Sequence, residues 1–409
     1  MFSSRLPAAL EPNALAAAID RRRASGTPFI DLTVTNPTAV GIPYPAALLQ
    51  GLASPEALRY TPAPLGLRPA REAVARDYAR RGIDVSPDRI VLTASTSEAY
   101  SLLFKLLCDA SPDRAGHAGS PVADEILIPQ PSYPLFDLLS RLDGVRAVPY
   151  RLQPHADWSI DRDSVERALS DRTRAVLVVS PNNPTGSVLT DDDADWLATL
   201  CAAREIAIIA DEVFADYPLG PSRSATVPSC PAFWSAGSAS GHAGPSALCF
   251  SLGGLSKSVG LPQVKLGWMA VNGPDALVKR ALERLDVICD TYISVATPVQ
   301  TAAASLIEGG AVVRHAIRHR LHENLATLGR LVAAHADVTL VEPRAGWTAV
   351  IQVPATEPEE QLVLRLLDEQ NVLVHPGYFF DFAREAFLVM SLLPEPSQFA
   401  DGAARVLAR

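Results

Sequence analysis

Six short apolar runs, separated by stretches of helical periodicity, constrain this chain more than any other feature. They are RIVLTAS (89–95), EILIPQ (125–130), RAVLVVS (174–180), IAIIAD (206–211), ALCFSL (247–252) and KLGWMAV (265–271). Strands with one wet face alternate apolar and polar residues, and these hardly alternate. Near-continuous apolarity needs cover on both sides. The runs therefore predict an α/β fold with a mostly parallel central sheet covered by helices, and ligands beyond the strand ends.

The length of 409 residues exceeds what one hydrophobic core usually organises. From about residue 275 to 334, LVKRALERLDVICDTY and VVRHAIRHRLHENLATLGRLVAAH place apolar residues three and four apart, as amphipathic helices do. Beyond them, WTAVIQVP (347–354), NVLVHPGYFF (371–380) and AFLVMSLL (386–393) predict a smaller α/β domain. The expected division is an N-terminal segment joining the small domain (1–50), a large domain (51–290), and a connecting helix with the small C-terminal domain (291–409). ASPDRAGHAGSPVAD (110–124) and SCPAFWSAGSASGHAGPSA (229–247) read as surface loops.

A net charge of −9 gives no general attraction to nucleic acid or to an anionic membrane, so an anionic ligand needs a local site. No stretch reaches the ~18 apolar residues of a membrane span. The N-terminus shows no sustained apolar core after a basic start, as a signal peptide would. Cys108, Cys201, Cys230, Cys249 and Cys289 lack C-x-x-C spacing, which suits reduced thiols. The expectation is a cytoplasmic protein with no metal, nucleic-acid or membrane partner.

Only four of the 36 basic residues are lysines: Lys105, Lys257, Lys265 and Lys279. Two of them fall in SLGGLSKSVGLPQVKLGW (251–268). An amine can lose its proton and attack a carbonyl, which a guanidinium cannot do. Most lysines are simply solvated. Lys257, however, follows an apolar run and is surrounded by Gly253, Gly254, Ser256, Ser258 and Gly260, which reads as a strand end turning tightly around a presented side chain.

Three other motifs follow apolar runs. In TASTSEAYSLLFKLL (93–107), Ser95 and Glu98 have capping-box spacing, so a helix starts near Thr96 and Ser97 with free backbone amides. Such amides can hold a phosphate or carboxylate, although most capped helix starts hold nothing. SPNNPTG (180–186) is a turn by composition, and its prolines fix where an asparagine side chain points. In IIADEVFADY (208–217), Asp211 and Glu212 stand at a strand's carboxyl end, where an acid can cap a helix or keep a heterocyclic nitrogen protonated.

Taken in order, RYTPAPLG (59–66), TASTSEA, PSYPLF (131–136), SPNNPTG, DEVFADY, LSKSVGLPQVKLGW and HPGYFF (375–380) resemble the class I/II aminotransferases of pyridoxal-phosphate fold type I, over nearly the whole chain. The resemblance implies pyridoxal 5'-phosphate bound in the large domain, and a homodimer with shared active sites. Lys257 would carry the cofactor as a Schiff base and move the Cα proton. Asp211 would pair with the pyridine nitrogen, Asn183 would hydrogen-bond the phenolic oxygen and Tyr133 would stack on the ring. The Thr96 and Ser97 amides would hold the phosphate with Lys265, and with Tyr60 reaching in from a second subunit.

Four positions depart from the family pattern. Phe214 stands where a tyrosine would donate to the phenolic oxygen, and loss of that donor raises the proton affinity of the Schiff base. Gly254 replaces a phosphate-binding serine. Lys265 replaces an arginine, keeping its charge but not its two-pronged geometry. Val389 in FLVMSLL replaces the arginine that would grip the substrate α-carboxylate. Arg384 and Arg344 are two candidate substitutes, and Asn36 is a further polar candidate from the N-terminal segment.

The resemblance implies transfer of an amino group from an L-amino acid to a 2-oxo acid. Trp347, Tyr378, Phe379 and Phe380 hint at an apolar or aromatic substrate, and ordinary core packing explains them equally well. A decarboxylase or C–S lyase on the same scaffold is the alternative, since fold does not fix chemistry. An effector-sensing module fused to a DNA-binding helix-turn-helix lacks a matching basic recognition helix in the first 50 residues.

Overall fold

The computed structural model describes the chain except residues 1, 4, 8–10, 110–122, 155–156 and 221–246. Both expected loop tracts lie almost wholly outside the described residues, as does Cys230. Strand β1 is Ile30–Asp31, in the N-terminal segment. Every one of the six apolar runs then supplies a strand to one sheet: β2 (Ile90–Thr93), β3 (Glu125–Gln130), β6 (Thr173–Val179), β7 (Ala207–Asp211), β8 (Cys249–Gly254) and β9 (Gly267–Asn272). With β4 (Arg146–Gln153) and β5 (Ser159–Ile160), the order is β2-β9-β8-β7-β6-β3-β4-β5.

Pairing is parallel from β4 through β3, β6 and β7 to β8. β9 runs antiparallel to both of its neighbours, so β2 points the same way as β8. The carboxyl ends of β2, β3, β6, β7 and β8 thus share one edge of the sheet.

Period-two packing explains why the runs are apolar throughout. Ile126, Ile128, Ala175, Leu177, Ala207 and Ile209 face a core completed by Leu103, Phe104, Val278 and Leu285 from the helices Thr96–Leu107 and Asp275–Tyr292. Their neighbours Leu127, Val176, Val178, Ile208 and Ala210 face the other way, onto Ala194, Leu197 and Cys201 of the helix Asp191–Ala203. Both faces are therefore dry, as a parallel sheet requires.

A smaller antiparallel sheet has the order β10 (Thr339–Val341), β11 (Thr348–Gln352), β14 (Phe387–Ser391) and β13 (His375–Pro376). β12 (Val372–Leu373) pairs instead with β1, in parallel, at Ile30↔Val372 and Asp31↔Leu373. Through this pair the N-terminal segment joins the C-terminal part of the chain. Leu32, the next residue, accepts a hydrogen bond from the Ser391 amide at 2.7 Å, extending the tie to β14.

Candidate active site

The common strand edge gathers residues distant in sequence. Asp211 ends β7, Lys257 follows β8, Asn183 follows β6, Tyr133 follows β3, and Thr96 and Ser97 follow β2. All six line one cavity of about 170 Å³, with Tyr100, Phe214, Ser256 and Trp347 among the other walls.

The helix Thr96–Leu107 begins where its cap dictates. Ser95 Oγ accepts from the Glu98 amide at 3.1 Å, and Glu98 Oε2 accepts from the Ala94 amide at 2.6 Å. Gly267 on β9 packs against this start. A Cβ there would lie 2.9 Å from the Ser95 carbonyl carbon and 3.1 Å from the Thr96 nitrogen. A missing side chain keeps the helix N-terminus close against the sheet edge.

In SPNNPTG the two asparagines divide their work. Asn182 is buried and builds the turn, accepting from Ser132 Oγ at 3.0 Å and donating to the Pro131 carbonyl at 3.1 Å and to Thr185 Oγ1 at 2.9 Å. Asn183 lines the cavity, and its buried Oδ1 has no partner among the described residues. Such an orphaned group calls for a partner, and a water or a bound molecule in the cavity can supply one.

Lys257 lies in a four-residue helix, Leu255–Ser258, too short to hold itself. Other elements cap its carbonyls. Tyr217 Oη donates to Lys257 O at 2.5 Å, Arg314 Nε to Ser258 O at 2.9 Å and Tyr44 Oη to Gly260 O at 2.6 Å. Arg314 is itself held by Asp77 and Asp216 at 3.5 and 3.6 Å, and Arg80 bridges the same two carboxylates. Gly260 has φ +65°, the left-handed conformation that glycine tolerates. The Lys257 Nζ lies 4.8 Å from the Trp347 ring centroid and 5.4 Å from that of Phe214. Burial draws its amine down to about 8, against the opposing pull of Asp211.

Asp211 is buried, and burial pushes its carboxyl upward. Two donors oppose the shift: Tyr100 Oη reaches Oδ2 at 2.6 Å and the Val213 amide reaches Oδ1 at 3.1 Å. Glu212 turns elsewhere and accepts from Ser251 Oγ at 2.7 Å, with Arg81 at 3.8 Å.

Among the candidate substrate contacts, only Trp347 lines the cavity. Asn36 is exposed and spends Oδ1 capping a short turn, accepting from Thr38 N at 3.1 Å and Thr38 Oγ1 at 2.7 Å; its neighbour Thr35 reaches the cavity instead. Tyr378 packs edge-on against Phe379 at 4.9 Å. Arg384 lies 5.5 Å over the Phe387 ring in a separate groove with Arg151, and Arg344, whose backbone bonds to Gly186 and Leu219, is not among the residues lining the cavity. Val389 is 1% exposed and pairs with Val350 and His375. Of the described residues lining the cavity, Lys257 alone carries a positive charge.

The cofactor candidates outside the cavity have their own reasons. Tyr60 is 70% exposed, and Lys265 is exposed with φ +59°. Gly254 lies opposite Gly267 across β8 and β9, where a Cβ would come within 3.1 Å of the Leu266 carbonyl oxygen. A serine there would need the facing strand to give by a few tenths of an ångström. Sequence reasoning passed over Tyr100, although it stands four residues after Thr96, on the same helix face.

A buried amine and a buried carboxylate facing one cavity, at the parallel edge of such a sheet, define a pyridoxal-phosphate-dependent enzyme of fold type I. The residues present fit the group. The Asn183 amide on the cavity wall, whose NH2 can donate to an oxygen, the backbone donors at the helix start by Thr96 and the lowered amine of Lys257 each offer what a polar, anionic aldehyde needs. Comparison with known families is more specific: the model for aminotransferase class I and II matches residues 30–397, and the chain belongs to this family, whose members use pyridoxal 5'-phosphate.

The chain is 24% identical over 371 residues to the glutamate-pyruvate aminotransferase AlaA of Escherichia coli K12, covering 88% of this chain and 85% of that one. It is 26% identical over 398 residues to an alanine aminotransferase of Mycobacterium tuberculosis, covering 91% and 83% respectively. A solved alanine aminotransferase from Pyrococcus furiosus superposes with a TM-score of 0.81 at 22% identity, over 99% of this chain and 98% of that one. Among the described residues no helix is long and apolar enough to cross a membrane, and no metal-binding cluster occurs.

Proposed function

We propose that this aminotransferase moves an amino group from an apolar or aromatic L-amino acid to a 2-oxo acid, with Lys257 as the catalytic residue. The juxtaposition of Lys257 and Asp211 in one cavity carries the reading. Bound pyridoxal phosphate supplies an electron sink for the charge left at the substrate's Cα. Lys257 Nζ would take the proton released when the substrate's Cα–H bond breaks, and an amine drawn down to about 8 has a share of its neutral form at neutral pH. Asp211 holds a proton on the ring nitrogen by remaining ionised beside it. Asn183 orients the phenolic side, and the Thr96 and Ser97 amides hold the phosphate. Phe136, Leu139 and Trp347 on the cavity wall support an apolar donor. The similar enzymes from Escherichia coli and Mycobacterium tuberculosis are named for alanine and glutamate, so alanine belongs on the test panel.

The chain acts in the cytoplasm as a homodimer on this reading, with Lys265 and, from the second subunit, Tyr60 completing the phosphate site. The exposure of Tyr60, Leu58 and Tyr292 supports a second copy covering that side. Val389 favours one other reading, a decarboxylase or C–S lyase, because no guanidinium stands at the α-carboxylate position.

The test is the visible spectrum of the protein with pyridoxal phosphate, followed through a panel of L-amino acids without acceptor. Conversion to the pyridoxamine form, reversed by a 2-oxo acid, is expected, and Lys257→Ala should abolish it while still binding cofactor. A lysine-bound cofactor that never converts would redirect the assignment to decarboxylation or elimination. Normal turnover by Lys257→Ala would remove Lys257 from the mechanism.

A further inference from the structure

We propose that Tyr100 is a positioning residue for Asp211, holding its carboxylate in the ionised form and orientation that a protonated ring nitrogen requires. The proposal rests on the reading of the cavity as a pyridoxal-phosphate site.

Helical spacing gives the first observation. Thr96 and Tyr100 are one turn apart on a single face, so the helix that offers amides at its start also offers a phenol four residues on. Tyr100 is 3% exposed, and its ring is fixed edge-on against Phe136 at 5.4 Å and beside Phe104 at 6.2 Å. Its hydroxyl reaches Asp211 Oδ2 at 2.6 Å, the length of a hydrogen bond to an anion.

Chemistry supplies the second. A buried carboxylate without donors takes up a proton, and a neutral acid cannot hold a cationic ring. Among the described residues the groups acting on Asp211 are Tyr100 from its helix, the Val213 amide from its own strand end, Lys257 from the turn after β8 and, through charge alone, Glu212 beside it and Tyr133 after β3. Glu212 is turned to Ser251 and Arg81. Tyr100 itself is held far above ordinary phenol behaviour by burial and by Asp211, so it donates at every working pH. Phe214 brings no hydroxyl to the cavity, whereas Tyr100 brings one to the carboxylate.

The experiment loads wild type and Tyr100→Phe with pyridoxal phosphate carrying ¹⁵N in its ring and reads the ¹⁵N shift and the cofactor Kd. Tyr100→Phe keeps the ring packing and removes only the hydroxyl. A protonated-type shift in wild type is expected, moving toward that of free pyridine in the variant. The Kd should weaken about tenfold, the worth of one charge-assisted hydrogen bond. In an Asp211→Asn background the same substitution should leave Kd within about twofold, a cancellation that a purely structural effect would not show.

An unchanged ¹⁵N shift and Kd in Tyr100→Phe would overturn the proposal while leaving the cofactor site standing. A wild type that takes up no pyridoxal phosphate would overturn the site reading, and the role of Tyr100 with it.

Discussion

Lys257 shows at the scale of one residue how burial lowers an amine's proton affinity and carries a stability cost with it. Its amine titrates at about 8 in the fold and near its ordinary 10.5 when unfolded. Between those values the folded chain binds fewer protons than the unfolded one, so stability rises with pH across that window. Below pH 8 the full penalty is present. In cofactor-free protein Lys257→Met should therefore be more stable than wild type at pH 7, by on the order of a few kcal/mol. The advantage should shrink as pH rises from 8 to 10.5, which paired thermal melts will show. The residue was legible because lysine is scarce in this chain and glycines surround this one. Tyr100 was not, because nothing within its own helix hints at an acceptor 111 positions away. Asn183 was legible only as a turn residue with a directed side chain; that Asn182 takes the structural bonds follows from contacts with Ser132 and Pro131.

Among elements, the turn after β8 and the start of the helix Thr96–Leu107 decide the geometry of the cavity. Both lean on neighbours. Tyr217→Phe removes the donor to the Lys257 carbonyl and should cost about 1 kcal/mol in urea unfolding, with a fall in kcat as the turn loosens. Gly267→Ala sets a methyl against the backbone of Ser95 and Thr96 and should cost about 1–3 kcal/mol. It should also raise the pyridoxal-phosphate Kd, read by titration, because the displaced backbone is the one proposed to offer its amides to phosphate. Strand identity was plain in the sequence wherever both faces are dry. β4 escaped notice because it is exposed at alternate positions and carries Arg146, Pro149 and Arg151. The fate of Arg384 was equally hidden, since stacking on Phe387 depends on a loop path that spacing does not reveal.

For the whole molecule, the proposed sharing of sites between subunits makes a sharp prediction. Neither Lys257→Ala nor Tyr60→Ala homodimers should reach wild-type turnover. A mixed dimer collects both defects in one site and leaves the other intact. Mixing the two variants should restore activity toward a quarter to a half of wild type, measured after reassembly; a mixture no better than its parts would place Tyr60 outside the partner's site. The order of layers was legible because apolar periodicity survives any loop rearrangement, whereas the pairing of β1 with β12 leaves no local trace. That pairing also has a consequence during synthesis. Ile30 leaves the ribosome about 340 residues ahead of its partner Val372. At roughly 5–20 residues per second, the first strand waits on the order of 20–70 s for its mate. The nascent chain can close the central sheet while β1 is still unpaired, so a strand made after that sheet secures one made before it.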